Sequence, residues 1–492
     1  MRARLRRLPV TGYLVLTGVL SALFALRMLG GGLVGLSDQG DGHRLLCQLG
    51  LRQGNAYNTS TRDHLYPLWF DHTWYGEDCG AAGERYRSTQ LAPAWVATRL
   101  THLLTDHDGL DLGVLAVLSS LLVGALVAAL TLLVARRWPA RLLVAAALFL
   151  VAADATFAGY FASAYSEPAT FTGLLALTAT VVVLLRAPVV RFPHLLAVTA
   201  ATALLVGAKT QNATALAAVV PLLLVRPLGR GGSALVRRLP ALGLAAALVA
   251  GTGAYLHAQP DRFTTQNDYA AVFVEMLPHS PDPAGDLAAL GLPAAMVTSS
   301  GVPIGAPGSA ANSPAFDGFS ERASLPRRLG VYLRDPVRLV AMADRGAEGM
   351  GRLRADYVYS YPASAGRPQG ALECRVCVVH DAWRAAFGGR PLVLLAAYLL
   401  AVGACALVAH RRRQQPATRA LAGAGLVLAV ALAAQFWVVL LTDGASDLVK
   451  HLVGANFTLA LLLVLATAAV GALACRDPRD VPAPQDPAAA GS

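Results

Sequence analysis

The stretch GLSDQGDGHRLL (35–46) places Asp38, Asp41, His43 and Arg44 within seven positions, directly after an apolar run. Carboxylates, an imidazole and a guanidinium so close together can pass protons and hold an anion. Further candidates are scattered along the chain. They are Asp154, Tyr165 and Glu167 in LFLVAADATFAGYFASAYSEPATF, Lys209 and Gln211 in GAKTQNA, and Lys450 and His451 in TDGASDLVKH, which also carries Asp443 and Asp447. A carboxylate that takes a proton from an acceptor hydroxyl, with cations that stabilise a departing phosphate, suits chemistry on an anionic lipid-linked donor. Sugar transfer fits that division of labour. Its sugar carbon becomes oxocarbenium-like, and one base with one displacement inverts the anomeric centre.

The elements that must position these groups are apolar. Of 492 residues 55% are hydrophobic and only 14% charged, and several runs are long enough for a hydrocarbon core of about 30 Å, which predicts an all-α polytopic membrane protein. Ten segments are expected: residues 10–26 (reaching as far as 36), 112–135, 142–158, 168–185, 195–208, 213–225, 239–256, 392–409, 420–441 and 452–474. They are helices because lipid offers backbone groups no partners. The pair 195–208 and 213–225 is short, and reads either as tilted spans around a cavity or as a re-entrant hairpin.

A net charge of +11 does not point to nucleic acid, because the arginines sit in short clusters between apolar runs. Placing the amino terminus in the cytoplasm puts RARLRR, RRWPAR, RAPVVR, RPLGRGGSALVRR, HRRRQQPATR and CRDPRD all on that side, as the positive-inside bias requires. The chain then divides into residues 1–36 (cytoplasmic start and first helix), 37–111 (first outer loop), 112–258 (helices two to seven), 259–390 (large outer loop), 391–475 (helices eight to ten) and 476–492 (a disordered tail). The basic start followed by an apolar run looks like a signal peptide, but without a cleavage site it reads as an uncleaved first helix.

Cys47, Cys79, Cys374 and Cys377 fall in the two outer stretches, where thiols oxidise, and Cys47 with Cys79 is the preferred bridge. CRVCVVH is better read as a staple than as zinc ligands, since two cysteines and His380 do not make four. Asp154 lies roughly 20 Å into its span at about 1.5 Å per residue, so it and a partly immersed Lys209 need partners or a wet cavity. Arg27 and Asp111, taken singly, read as interfacial residues.

These residues resemble the GT-C superfamily of membrane glycosyltransferases, which use polyprenyl-phosphate sugars and carry a catalytic acid in the first outer loop. SDQGDGHRL occupies that place. The resemblance is closest to bacterial hexosyltransferases of the S-layer-glycan type, through SDQGDGHR, YFASAYSEPA, GAKTQNA and NDYAAVFVEMLPHSPDPAGDLAALGLP. It implies a multi-pass protein of the bacterial cell membrane with an extracytoplasmic site, a polyprenyl-phosphate-linked sugar as donor, and a glycan or lipid as acceptor. Asp41 matches the family base best and Asp38 is second, because the acids here are separated by Gln39 and Gly40. Glu167 would line the acceptor or sugar pocket, while Lys209 and Arg44 would meet donor phosphate. His43, Asp154, Tyr165, Gln211, Lys450 and His451 complete the substrate contacts. No cofactor is implied beyond the donor itself, and nothing in the sequence supports a divalent metal.

Two other classes compete. A flippase for lipid-linked glycans would need polar residues reaching the inner side, and these cluster at one end. A polymerase or ligase would rely on arginine or histidine, for which His43, His380 and His451 are available. GGGLVG (30–35) matches a nucleotide-loop pattern but follows an apolar helix and no strand, so packing or a bend is its use. YLRDPVRLVAMADRGAEGMGRLRADY predicts an outer helix started by Pro336.

Overall fold

The computed structural model describes residues 10–36, 41–53, 70–76, 86–135, 137–229, 233–356, 358–368, 370–411 and 415–474. Asp38, Cys79 and the tail 476–492 lie outside them, as does the side chain of Asp41.

Each apolar run becomes helix, since hydrogen bonds within the segment satisfy its backbone. The chain begins with α1 (Val10–Leu29), α2 (Asp41–Leu46), α3 (Leu91–Leu104), α4 (Leu112–Val134), α5 (Trp138–Ala153), α6 (Ala155–Ala158), α7 (Glu167–Arg186), α8 (Phe192–Val206), α9 (Leu216–Val225) and α10 (Ala234–His257). Beyond the bundle come α11 (Asp261–Tyr269), α12 (Pro283–Ala289), α13 (Phe319–Arg322), α14 (Leu325–Arg334), α15 (Val337–Arg352) and α16 (Val378–Phe387). The chain then returns as α17 (Pro391–His410), α18 (Pro416–Thr442), α19 (Leu448–His451) and α20 (Val453–Ala474).

Seven of these, α1, α4, α7, α10, α17, α18 and α20, are long and apolar enough to cross a membrane, and α5 joined to residues 155–162 through a 53° bend makes an eighth. α8 and residues 210–225 are shorter apolar helical segments. All ten expected segments are therefore helical, eight of them of spanning length.

The third segment is not continuous, contrary to the sequence expectation. Asp154 ends α5 and starts α6, accepting the Thr156 amide at 3.0 Å through Oδ1. A side chain that caps the next helix competes with continuing the previous one.

Small residues let the helices approach. A side chain at Gly124 would strike Ser21 of α1, and one at Gly173 would strike Leu205 of α8. The centre of the bundle is α7 and α20, whereas α10 and α17 keep most of their surface for lipid. Phe157, Phe171 and Phe457 interlock at that centre, with ring centroids 4.7 to 5.5 Å apart.

The two ends of the bundle differ. At one end arginines bond helix-terminal carbonyls: Arg186 donates to Leu133 O at 2.5 Å, Arg226 to Leu184 O at 3.1 Å and Arg141 to Ala135 O at 3.2 Å. Cations there complement the negative helix C-termini.

The other end bears the long connections. An antiparallel sheet of β1 (Leu51–Gln53), β2 (Thr73–Gly76) and β3 (Gly109–Asp111) packs Trp74 and Leu110 against Leu46, Ala97 and Leu115. A separate core around Tyr269, Phe273, Phe319 and Met342 organises the larger loop region. Cys374 and Cys377 form a disulfide, and Cys47 is also disulfide-bonded.

Candidate functional site

Tyr165, Glu167, Lys209, Gln211, Lys450 and His451 meet at the loop-bearing end, around the start of α7. Glu167 is the first residue of α7, where a negative charge complements the helix dipole. It is buried, and Lys209 Nζ donates to its Oε1 at 2.7 Å. Lys209 reaches it from the extended link after α8.

The connection between α18 and α20 closes the site from above. Gly444 and Asp447 turn the backbone with φ of 61° and 48°, returning α19 towards α7. His451 then lies 2.9 Å from the buried Asp443 carboxylate. Burial pushes the Asp443 carboxyl up, but His451 beside it, with Lys209 further off, brings it below its ordinary value. Lys450, itself buried, stands over the Tyr165 ring at 5.2 Å. Gln211 donates to the His451 carbonyl at 3.0 Å, tying the two connections together.

A neutral polar layer underlies these charges. Asn212 donates to Thr170 Oγ1 at 2.8 Å, and Gln435 of α18 donates to Asn212 Oδ1 at 3.3 Å. Both polar atoms of the fully buried Asn456, on α20, lack a partner among the described residues.

The start of α2 also comes to this place. α2 begins at Asp41, and Gly42 sits so close to Ala164 that any side chain there would collide with the Ala164 methyl. Ala164 is three residues before Glu167. Glycine at position 42 therefore lets α2 start against the YFASAYSE turn. Arg44 looks the other way, its guanidinium 4.7 Å from the Phe263 ring of α11. His43 lies 3.3 Å from Cys47 Sγ, and burial, with Arg52 and Arg44 nearby, holds its imidazole below the ordinary value.

Asp154 stands apart from this cluster. Its Oδ2 accepts the amides of Val379 and His380 at 2.9 and 3.1 Å, in addition to the Thr156 amide on Oδ1. The carboxylate thus caps α6 and the start of α16 together, and its bonds go to backbone in place of an open cavity. His380 turns its ring to Asp381 at 3.0 Å.

Sequence reasoning missed a second buried charge network. Arg27 is buried and not interfacial: it donates to Ala153 O at 2.8 Å and to Glu373 at 2.5 Å. Arg375 and Arg354 also converge on Glu373, through its carboxylate and its carbonyl respectively. Arg27 and Glu373 are 346 positions apart, so no local pattern could pair them. Asp443 was visible in TDGASDLVKH but had no assigned partner, whereas Thr170, Gln435 and Asn456 gave no signal beyond polarity inside apolar runs. Among the described residues, no three metal-ligating side chains gather at one point.

Fold and site together define an all-α multi-pass membrane protein with a buried ionic cluster at its loop-bearing end. The chain belongs to the family described as the YfdI N-terminal transmembrane domain, whose model matches residues 5–480. That family is GT-C-like and related to glycosyltransferases, without pointing to the S-layer-glycan type in particular. No curated protein and no solved structure matches the chain.

Proposed function

We propose that this chain is an inverting glycosyltransferase of a bacterial cell membrane, moving a hexose from a polyprenyl-phosphate donor to a cell-envelope glycan or lipid. Its amino terminus is cytoplasmic and its site extracytoplasmic, a reading supported by the positive-inside bias and by Arg141, Arg186 and Arg226 at the opposite end of the bundle. The observation that carries the reading is the convergence of the Glu167–Lys209 pair, the Asp443–His451 pair and Lys450 with the start of α2.

In the proposed step the Asp41 carboxylate takes the proton of an acceptor hydroxyl, whose oxygen bonds to the anomeric carbon as the carbon–oxygen bond to phosphate breaks. The departing polyprenyl phosphate keeps the electron pair, and Lys450 and Lys209 stabilise its charge. Glu167, neutralised by Lys209, orients that lysine and lines the sugar pocket. Asp154 supports the site through the fold.

A lipid-glycan flippase fits less well. Charged side chains on the described spans lie close to helix ends, so among the described residues no charge lines the middle of the bundle.

The test is transfer from a panel of labelled polyprenyl-phosphate sugars by membranes carrying the protein. Asp41→Asn should fold and lose about 10²-fold or more in rate, the range for removing a general base. Undiminished transfer by that variant rejects Asp41 as the base.

A further inference from the structure

α3 is tied at both ends to the loop ends of apolar bundle helices. At its start, Ser88 Oγ donates to Ala208 O at 2.8 Å, and the Thr89 hydroxyl to Leu204 O at 2.9 Å, both at the close of α8. At its finish, Thr101 Oγ1 accepts the amide of Asp111 at 3.1 Å, and Asp111 caps α4. A helix of 14 residues, about 21 Å long at about 1.5 Å per residue, therefore runs across the end of the bundle and not through it.

Its faces are distinct. Ala94, Ala97 and Thr101 are buried against the protein, while Val96, Leu103 and Leu104 form an exposed apolar stripe. The third edge, with Trp95, Thr98, Arg99 and His102, borders a groove of about 420 Å³ whose far side is the sheet and Asp108. Apolar on one flank and polar on the other, α3 has the character of a helix lying at a bilayer surface. Gly109, at the edge of the groove, lets β3 pair this closely with β2, because any side chain there would overlap the Trp74 carbonyl.

The chemistry of the groove narrows its ligand. The Trp95 indole is 51% exposed and offers a flat apolar face, with the Arg99 guanidinium 5.5 Å from its centroid. His102 and Asp108, 4.0 Å apart, and Thr98 supply donors and acceptors in mixture. A carboxylate that shares the groove with a single guanidinium disfavours phosphate, whereas an aromatic plate rimmed by mixed hydrogen-bonding groups suits the apolar face and hydroxyls of a sugar.

We propose that this groove docks the saccharide of a membrane-anchored glycolipid whose hydrocarbon lies beside Val96, Leu103 and Leu104. Its role as an acceptor subsite rests on the transferase reading above, but docking itself requires no transfer.

The experiment uses the full chain in lipid nanodiscs, with two photoreactive probes of the same alkyl chain, one headed by a hexose and one by phosphocholine. The hexose probe should label residues 91–111 about five-fold more than the other, the effect of roughly 1 kcal/mol from aromatic contact. Trp95→Ala should reduce labelling to the phosphocholine level, and Trp95→Phe should keep most of it. Equal labelling by both heads, or labelling indifferent to Trp95→Ala, overturns the proposal. Asp41→Asn labelled in parallel separates the two readings: it should label as the parent does while its transfer is lost, and transfer without selective labelling would sink only the groove.

Discussion

The two ends of the bundle use cations in opposite ways. At the arginine end, Arg186, Arg226 and Arg141 donate to backbone carbonyls at helix ends and remain partly solvated. At the loop-bearing end, Lys209, Arg27 and Arg328 are paired with Glu167, Glu373 and Asp268 in nearly dry surroundings. The first arrangement costs little, because water remains close to the charge. The second carries a desolvation cost that only good geometry offsets, and it fixes distant segments in one arrangement.

The contrast can be broken most forcefully at Lys209. Lys209→Met leaves Glu167 buried and uncompensated, and should destabilise the purified protein by about 3–5 kcal/mol in thermal or denaturant unfolding. Lys209→Met combined with Glu167→Leu should recover much of that loss, because a buried pair is often replaceable by apolar side chains. A pair of single-site losses that simply add would show that the two residues do not interact.

Next in size is Asp154→Ala, which strands three backbone amides and should cost about 2–3 kcal/mol. Faster proteolysis within residues 370–390, before any change in the bundle, would sharpen the view that this carboxylate holds α16 in place. Protection equal to that of the parent would count against it.

A smaller effect is expected in the pH dependence of stability. The folded chain holds His43 below its ordinary value, so the unfolded chain takes up a proton that the folded chain resists. Stability should be complete above about pH 6.5 and decline as the pH falls below it, towards the folded value. His43→Gln should flatten that slope in melting curves recorded from pH 7.5 down to about pH 5.

The least effect belongs to the arginine end. Arg186→Gln should change stability by about 1 kcal/mol or less, since it removes a helix-end contact with water close at hand. A loss as large as that of Lys209→Met would erase the distinction between the two ends.

Much of the architecture was legible because hydrocarbon imposes one local rule on every span. The same rule exposed Glu167 and Lys209, since charges inside apolar runs are rare and conspicuous. What was hidden was partnership. Arg27 at the end of its helix looked interfacial because its acceptor, Glu373, comes from the far end of the large loop. Asp154 showed its depth in the sequence but not the two amides of Val379 and His380 that reach it from more than two hundred residues away. Asp443 and Lys450 were recognisable as polar, yet their burial depends on the turn at Gly444 and Asp447, which is set by packing on the loop region and not by the turn residues alone.

That double cap at Asp154 also limits how the molecule can be dissected. A bundle expressed without residues 259–390 would retain Asp154 with two of its three amide donors deleted, and Arg27 nearby would lose its counter-charge as well. The loops thus help to hold the bundle, and trimming them to obtain a smaller crystallisable core should destabilise the very helices that the trimming was meant to isolate.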